Sequence, residues 1–280
     1  MLHWSVLDLR RNWGAIFQAA QLFWRRRELL LEMTRRDVVD RYAGQVLGSM
    51  WAIIAPLLTM ATYAFAFGVI FRGRISPDDD GTGYTAFALA GLVPWMGLQE
   101  GLSRSTAAIA GNANLVKQIV FPSEILPLKV ALGTLPGLLI GLLATVAISA
   151  FAGRLDPFGL LVLLPSALLF YVFLLAGISY FLAAVGVFVR DIKDLIAFVL
   201  SIGLFLHPIL YTPAGTPAWL FPFFLASPFS YMIWCFRDAL IGPDPQHAWS
   251  WVVFPVISIV IFVLGWRTFR MLKPTFGNAL

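Results

Sequence analysis

One cysteine, three histidines and a charged fraction of only 12% leave this 280-residue chain short of the groups from which most chemical sites are built. Cys235 has no second cysteine for a disulfide, and no spaced set of metal ligands stands out. There is no G-x-x-x-x-G-K-[ST] stretch and no glycine-rich turn leading into a basic helix. The chain therefore carries no phosphate cradle and cannot hydrolyse ATP alone. Polar surface is lacking too, far below what a soluble globule of this length needs. The start, MLHWSVLDLRRNWG, has no short apolar core with a cleavage site, so no removable signal peptide is expected.

What the sequence has instead is hydrocarbon. At 59% hydrophobic residues and a mean hydropathy of +0.81, it reads as an integral membrane protein. Its apolar runs reach the roughly 20 residues that a helix needs to cross a bilayer core. Lipid offers no hydrogen bonds, so these runs must be helices or a closed barrel, and the absence of alternating polarity excludes the barrel. Six spans are expected, over residues 47–71, 84–102, 128–152, 158–189, 195–211 and 249–266. The fourth is too long for one straight crossing, and Pro165 predicts an interfacial start or a kink there. After the fifth, PAGTPAWLFPFFLASPFSYMIWCF is apolar but broken by Pro213, Pro217, Pro222 and Pro228, which predicts short re-entrant or interfacial helices.

Charge sets the orientation. With the N-terminus inside, eight Lys and Arg precede the first span, three lie in 103–129, two in 190–194 and three follow 266, giving 16 inside. Only Arg72, Arg74, Arg154 and Arg237 fall outside, so both termini are expected in the cytoplasm. The net charge of +5 is mostly this bias and makes no case for nucleic acid. The expected organisation is a cytoplasmic segment at 1–46, a six-helix domain at 47–268 and a short cytoplasmic tail at 269–280.

Before the first span, Arg25, Glu28, Glu32, Arg35 and Arg36 share one sector of a helical wheel, and Leu22, Phe23, Leu29, Leu30 and Met33 the other side. Such a helix lies in the headgroup plane or packs as a cytoplasmic helix on the bundle; the interfacial placement is the one expected. It meets the first span without a loop, at Arg35 to Phe71. A gate is expected at this bend, with Arg35, Arg41 and Tyr42 as its residues and Trp51 in the first turns beyond.

Three stretches carry a family likeness. They are Arg41-Tyr42, Leu47-Gly48, Trp51 and Pro56 at the first span; VRDIKDL at 189–195; and HPILYTP at 207–213 followed by SPFSYMIWCFRDALIG at 227–242. Together, from about residue 25 onward, they resemble the permease subunits of type-2 ABC exporters for polysaccharides, which handle O-antigen, capsule and teichoic acid. The resemblance implies an all-α permease in the cytoplasmic (inner) membrane. It implies a homodimer working with two copies of a separate ATPase subunit that binds the ATP and Mg, with no cofactor on this chain.

It also implies a coupling helix within 104–127, where Gly111, Asn112 and Asn114 mark a turn, 115–120 a short helix and Pro122 its end. Asn112, Asn114, Leu115, Lys117 and Gln118 are the candidate contacts to the ATPase, with Arg190, Asp191 and Lys193 as a second set. A plain connector is the competing reading of both loops. For a sugar polymer, aromatic rings supply flat apolar faces. Trp51, Tyr63, Phe67 and Phe71 on the first span, with Phe198 and Phe205 on the fifth, are the candidate path, set against ordinary lipid-facing or core aromatics.

Glu100 is the sole acid near a span, within reach of Arg104, and mid-depth carboxylates for ion coupling are absent. His207 reads as a helix-end residue. Gly133, Gly137 and Gly141 form a glycine face whose partner helix the sequence does not name. Two alternatives stand beside the polysaccharide permease: a type-2 permease for a drug or lipid, and a membrane-embedded glycosyl or acyl transferase. For the transferase, only Asp238, Asp244 and His247 lie near one another, in no defensible catalytic spacing.

Overall fold

Backbone groups in lipid must pair within their own segment, and the chain does so with helices. The computed structural model describes residues 9–70, 81–117, 121–211, 216–242 and 247–280, and no strand occurs among the described residues. Two helices come first, α1 (Leu9–Arg25) and α2 (Arg27–Asp40), separated only at Arg26. The link to the bundle bends through Gly44 (φ 80°) and Gly48 (φ 50°), left-handed positions that a side chain would strain. α3 (Trp51–Phe65) then runs into a π turn at Ala66–Ile70.

The remaining helices are α4 (Thr82–Ser105), α5 (Ala113–Val116), α6 (Ile125–Leu132), α7 (Leu135–Phe151), α8 (Leu164–Val185) and α9 (Ile192–Leu206). After them come α10 (Phe221–Ala226), α11 (Pro228–Ile241), α12 (Ser250–Leu272) and α13 (Phe276–Ala279). Four continuous stretches among the described residues are long and apolar enough to cross a membrane: Gly48–Ile70, Ile125–Phe151, Gly159–Val185 and Ser250–Ala279. The pair Ala218–Ala226 and Pro228–Ile241 adds a fifth if its 89° bend is one broken span. This is a multi-pass helical membrane protein.

α4 and α9 stand where the second and fifth spans are expected, yet neither meets that test. α9 has 15 residues, shorter than the roughly 20 of a straight crossing. α4 is long enough, but it lies at the centre of the bundle, with Ala86, Leu89, Leu92, Trp95 and Leu98 all buried. Shielded by its neighbours, it carries glycines and hydroxyls that a lipid-facing helix would not. The first span is the opposite case. Only 11% of its most apolar window is covered by the rest of the chain, against 39% in the three other stretches.

The glycine face of the third span finds two partners. A Cβ on Gly141 would come within 2.8 Å of Val93 on α4, whereas one on Gly137 would meet only Pro56 of α3, at 3.7 Å. The expected disturbance at Pro165 is a π turn at Gly159–Leu163, with the proline in the first turn of α8. Proline donates no N–H, so the turn before it widens. The N-terminal helices pack on the bundle by the expected apolar side, Phe23 meeting Trp266 edge-on at 5.7 Å and Leu30 fully covered. They also present Phe17, Trp24 and Leu31, seven residues apart, outward. α12 continues to Leu272, past the expected boundary at 268, and α13 folds back so that Phe276 is buried against Phe269 and Phe188.

Candidate functional site

Four charges meet where α2 ends, at what we term the proximal end of the bundle. Arg41 ion-pairs with Glu100 of α4 and donates to the Gly133 carbonyl at 2.6 Å. Asp37, one helical turn before Arg41, accepts from Arg104 at 2.6 Å. Arg104 in turn lies 3.8 Å from Glu100. Gly133 sits between α6 and α7, where the third span is interrupted just before Pro136. A guanidinium here offers donors to a backbone carbonyl at a helix break and to two carboxylates at once, a geometry that its planar fork allows. The bend therefore joins the N-terminal helices to the second and third spans. Tyr42 and Arg41 both line a cavity of about 300 Å³ between α3, α4 and α7. Arg35, the third gate candidate, is exposed on α2 and does not reach this cluster.

The aromatic candidates separate. Tyr63 and Phe67 stack at 5.9 Å, and Phe67 is buried edge-on against Tyr84 of α4, so this pair packs inward. Trp51 is half-buried. Phe198 and Phe205 point out of the chain, 63% and 68% exposed, on the uncovered face of α9. Phe71 lies outside the described residues.

At the same proximal end, Asn112 is anchored by its amide on the Ala108 carbonyl at 2.9 Å, and α5 follows at once. The helix thus begins at Ala113, and Asn114 lies within it rather than in the turn before. Leu115 and Val116 face the bundle, while Asn114 and Lys117 are exposed. Gln118 lies outside the described residues. Beyond Pro122, Glu124 pairs with Lys273 at 2.7 Å, tying this segment to the end of α12. Arg190, Asp191 and Lys193 are exposed beside it, with no ion pair among the described residues.

The distal end holds a residue that sequence reasoning counted only as an external charge. Arg237 of α11 is buried, donates to the Ile209 carbonyl at 2.5 Å and to the Phe87 carbonyl at 3.4 Å, and lies 3.6 Å above the Phe87 ring. It fastens α4, α11 and the chain just past α9. Its signal in the sequence was a lone arginine inside an apolar run. His207 caps α9 as expected of a helix-end residue. Its Nδ1 must donate to the Gly203 carbonyl, because a carbonyl only accepts, which leaves Nε2 to accept from Ser227 Oγ; both distances are 2.8 Å. Asp238 accepts from the Trp251 indole at 2.8 Å, and His247 stacks on Trp234 at 4.3 Å. Asp244 lies outside the described residues, and no group of three metal-ligating side chains occurs among those that are described.

The sequence pattern of the ABC-2 type transporters matches residues 28–241, more than half of the chain and all of it from α2 to α11. The chain belongs to the ABC-2 type transporter family. Among curated relatives of this family member, an O-antigen export system permease protein, RfbA, of Klebsiella pneumoniae is 25% identical over 262 residues, covering 90% of this chain and 95% of its own. A second Klebsiella pneumoniae RfbA is 24% identical over 277 residues, 98% of this chain and 99% of its own. The Myxococcus xanthus RfbA is 28% identical over 185 residues, 66% and 68% respectively. The ABC-2 likeness thus runs through both the charged bend and the distal hairpin.

Proposed function

We propose that this chain is the membrane-spanning permease of an ATP-driven exporter, moving a lipid-linked cell-surface polysaccharide such as O-antigen or capsule across the cytoplasmic membrane. The observation that carries this reading is the near end-to-end match to relatives named as O-antigen export permeases. Six spans, α3, α4, α6 with α7, α8, α9 and α12, cross the bilayer. α10 and α11 form a re-entrant pair on the outer side, and both termini are cytoplasmic. α1 and α2 lie in the inner headgroup plane, with Phe17, Trp24 and Leu31 toward lipid.

Energy reaches this chain through contact, since its sequence offers no phosphate loop. α5 presents Asn114 and Lys117 at the proximal, cytoplasmic face, with Arg190, Asp191 and Lys193 exposed nearby. These residues meet the ATPase, two copies of which serve a permease homodimer. The thin cover of the first span and the outward Phe198 and Phe205 leave apolar faces for the second copy and for the moving polymer between them. Deleting the chain in its host and fractionating the envelope tests the reading. Polymer trapped inside while its synthesis continues is the expected result. Normal surface polymer with altered drug resistance or lipid composition would transfer the chain to the drug or lipid permeases.

A further inference from the structure

The cavity at the charged bend has walls of one kind and a rim of another. Pro56 and Met60 of α3, Val93 and Met96 of α4, and Leu138 of α7 make its sides, and Gly137 leaves its floor open. Thr59 donates its hydroxyl to the Ala55 carbonyl of its own helix at 2.8 Å, and Tyr42, next to Arg41 in the chain, brings a second hydroxyl to the lining. Away from these two hydroxyls the walls are a greasy slot between adaptable methionines. The rim is charged. Arg41 lines it 19% exposed, and Glu100 lines it 43% exposed. The hydrogen bond that Glu100 accepts from Arg41 ends on Oε1, which leaves Oε2 without a hydrogen bond among the described residues.

We propose that this cavity holds one phospholipid of the surrounding leaflet with an amine-bearing, zwitterionic headgroup. An acyl chain fills the slot, a phosphate oxygen accepts from Arg41, and the ammonium donates to Glu100. The guanidinium of Arg41 keeps 19% of its side chain exposed beside the cavity, and such a cation favours an oxyanion. The cluster of Asp37, Arg41, Glu100 and Arg104 sums to zero charge, so a net anionic headgroup gains no more from Arg41 than it loses to the two carboxylates. A free sugar would satisfy the rim and leave the hydrocarbon walls uncovered. The site lies within one copy and owes nothing to a polymer being transported, so it stands or falls apart from the proposed substrate.

Native mass spectrometry of the full-length chain, released from vesicles of phosphatidylethanolamine, phosphatidylglycerol or phosphatidylcholine, tests it. One phosphatidylethanolamine per chain is expected to survive, with retention of the other two about tenfold weaker, the range of a charge-assisted hydrogen bond. Glu100→Gln is expected to erase the preference for the primary amine over phosphatidylcholine. Gly137→Leu, which fills the slot, is expected to abolish retention. Gly137→Ala, whose methyl has room beside Pro56, serves where the leucine variant does not insert, and is expected to weaken retention. Equal retention of the three lipids, or retention unchanged by either Gly137 substitution, would overturn the proposal. So would displacement of the bound lipid by a polyprenyl-linked glycan at equal concentration, which would give the slot to the cargo.

Discussion

Gly177 and Gly265 meet where α8 crosses α12, so closely that a Cβ on Gly265 would lie 1.9 Å from the Gly177 carbonyl oxygen. The two helices make the most extensive pairing in the bundle, and backbone-to-backbone packing is what lipid-embedded helices rely on when no water is expelled between them. Gly265→Leu is expected to force them apart at a cost of about 1–3 kcal/mol or more. A fall in the detergent melting temperature and in the amount of chain in the membrane checks this; an unchanged melting curve would refute it.

Arg41 is bound by geometry rather than by charge alone. One fork of its guanidinium reaches Glu100 and the other the Gly133 carbonyl. Lysine keeps the charge but has a single nitrogen, so Arg41→Lys is expected to lose one of these contacts, worth about 1.5–3 kcal/mol for a hydrogen bond to a charged group. Surface polymer should then drop to nearly the level of Arg41→Ala, while Arg35→Ala, outside the cluster, retains it. Quantitative blotting of surface polysaccharide makes the comparison.

The coupling role proposed for α5 can be tested apart from folding, because its side chains point two ways. Lys117 points outward and Leu115 inward. Lys117→Glu is expected to leave insertion and thermal stability unchanged while abolishing co-purification of the ATPase subunit and export. Leu115→Asp is expected to lower stability first. Full co-purification with Lys117→Glu would remove this face from the ATPase contact.

The aromatic candidates divide in the same way. Phe67→Ala removes a buried ring and is expected to destabilise the chain by about 3–5 kcal/mol. The double variant Phe198→Ala, Phe205→Ala removes exposed rings and is expected to slow polymer passage with little change in melting temperature. Reduced dimer on cross-linking, with passage per dimer intact, would reassign that pair to subunit packing.

Helices could be read from the sequence wherever they touch lipid, because lipid imposes uniform apolarity over a fixed length. α3, α7, α8 and α12 all lie where hydropathy puts them. The weak cases are instructive. α4 is buried by protein, which tolerates Gly97, Gly101 and Ser105, so its run is blurred by polar and small residues. The i, i+4 spacings of Asp37 with Arg41 and of Glu100 with Arg104 are visible in the chain, and each pair forms. What spacing could not give is the link between the two, 59 positions apart, or the Gly133 carbonyl 92 positions from Arg41. Leu47-Gly48 belonged to the likeness without a reason, and the positive φ at Gly48 supplies one. The burial of Arg237 was not legible, because a charge inside an apolar hairpin looks the same whether it faces water or two carbonyls.

The thin cover of the first span has a consequence for how the protein is made. A helix that takes so little of its stability from its neighbours takes it from lipid, and lipid is present as soon as residue 70 leaves the ribosome. Such a span settles in the bilayer before its future neighbours exist. α4, by contrast, has to wait for α7, α8 and α11 to shelter its glycines, hydroxyls and charges. The first span is thus fixed before the centre of the bundle is. A release of the nascent chain between these two events would leave a stably anchored, unfinished protein for the cell to clear.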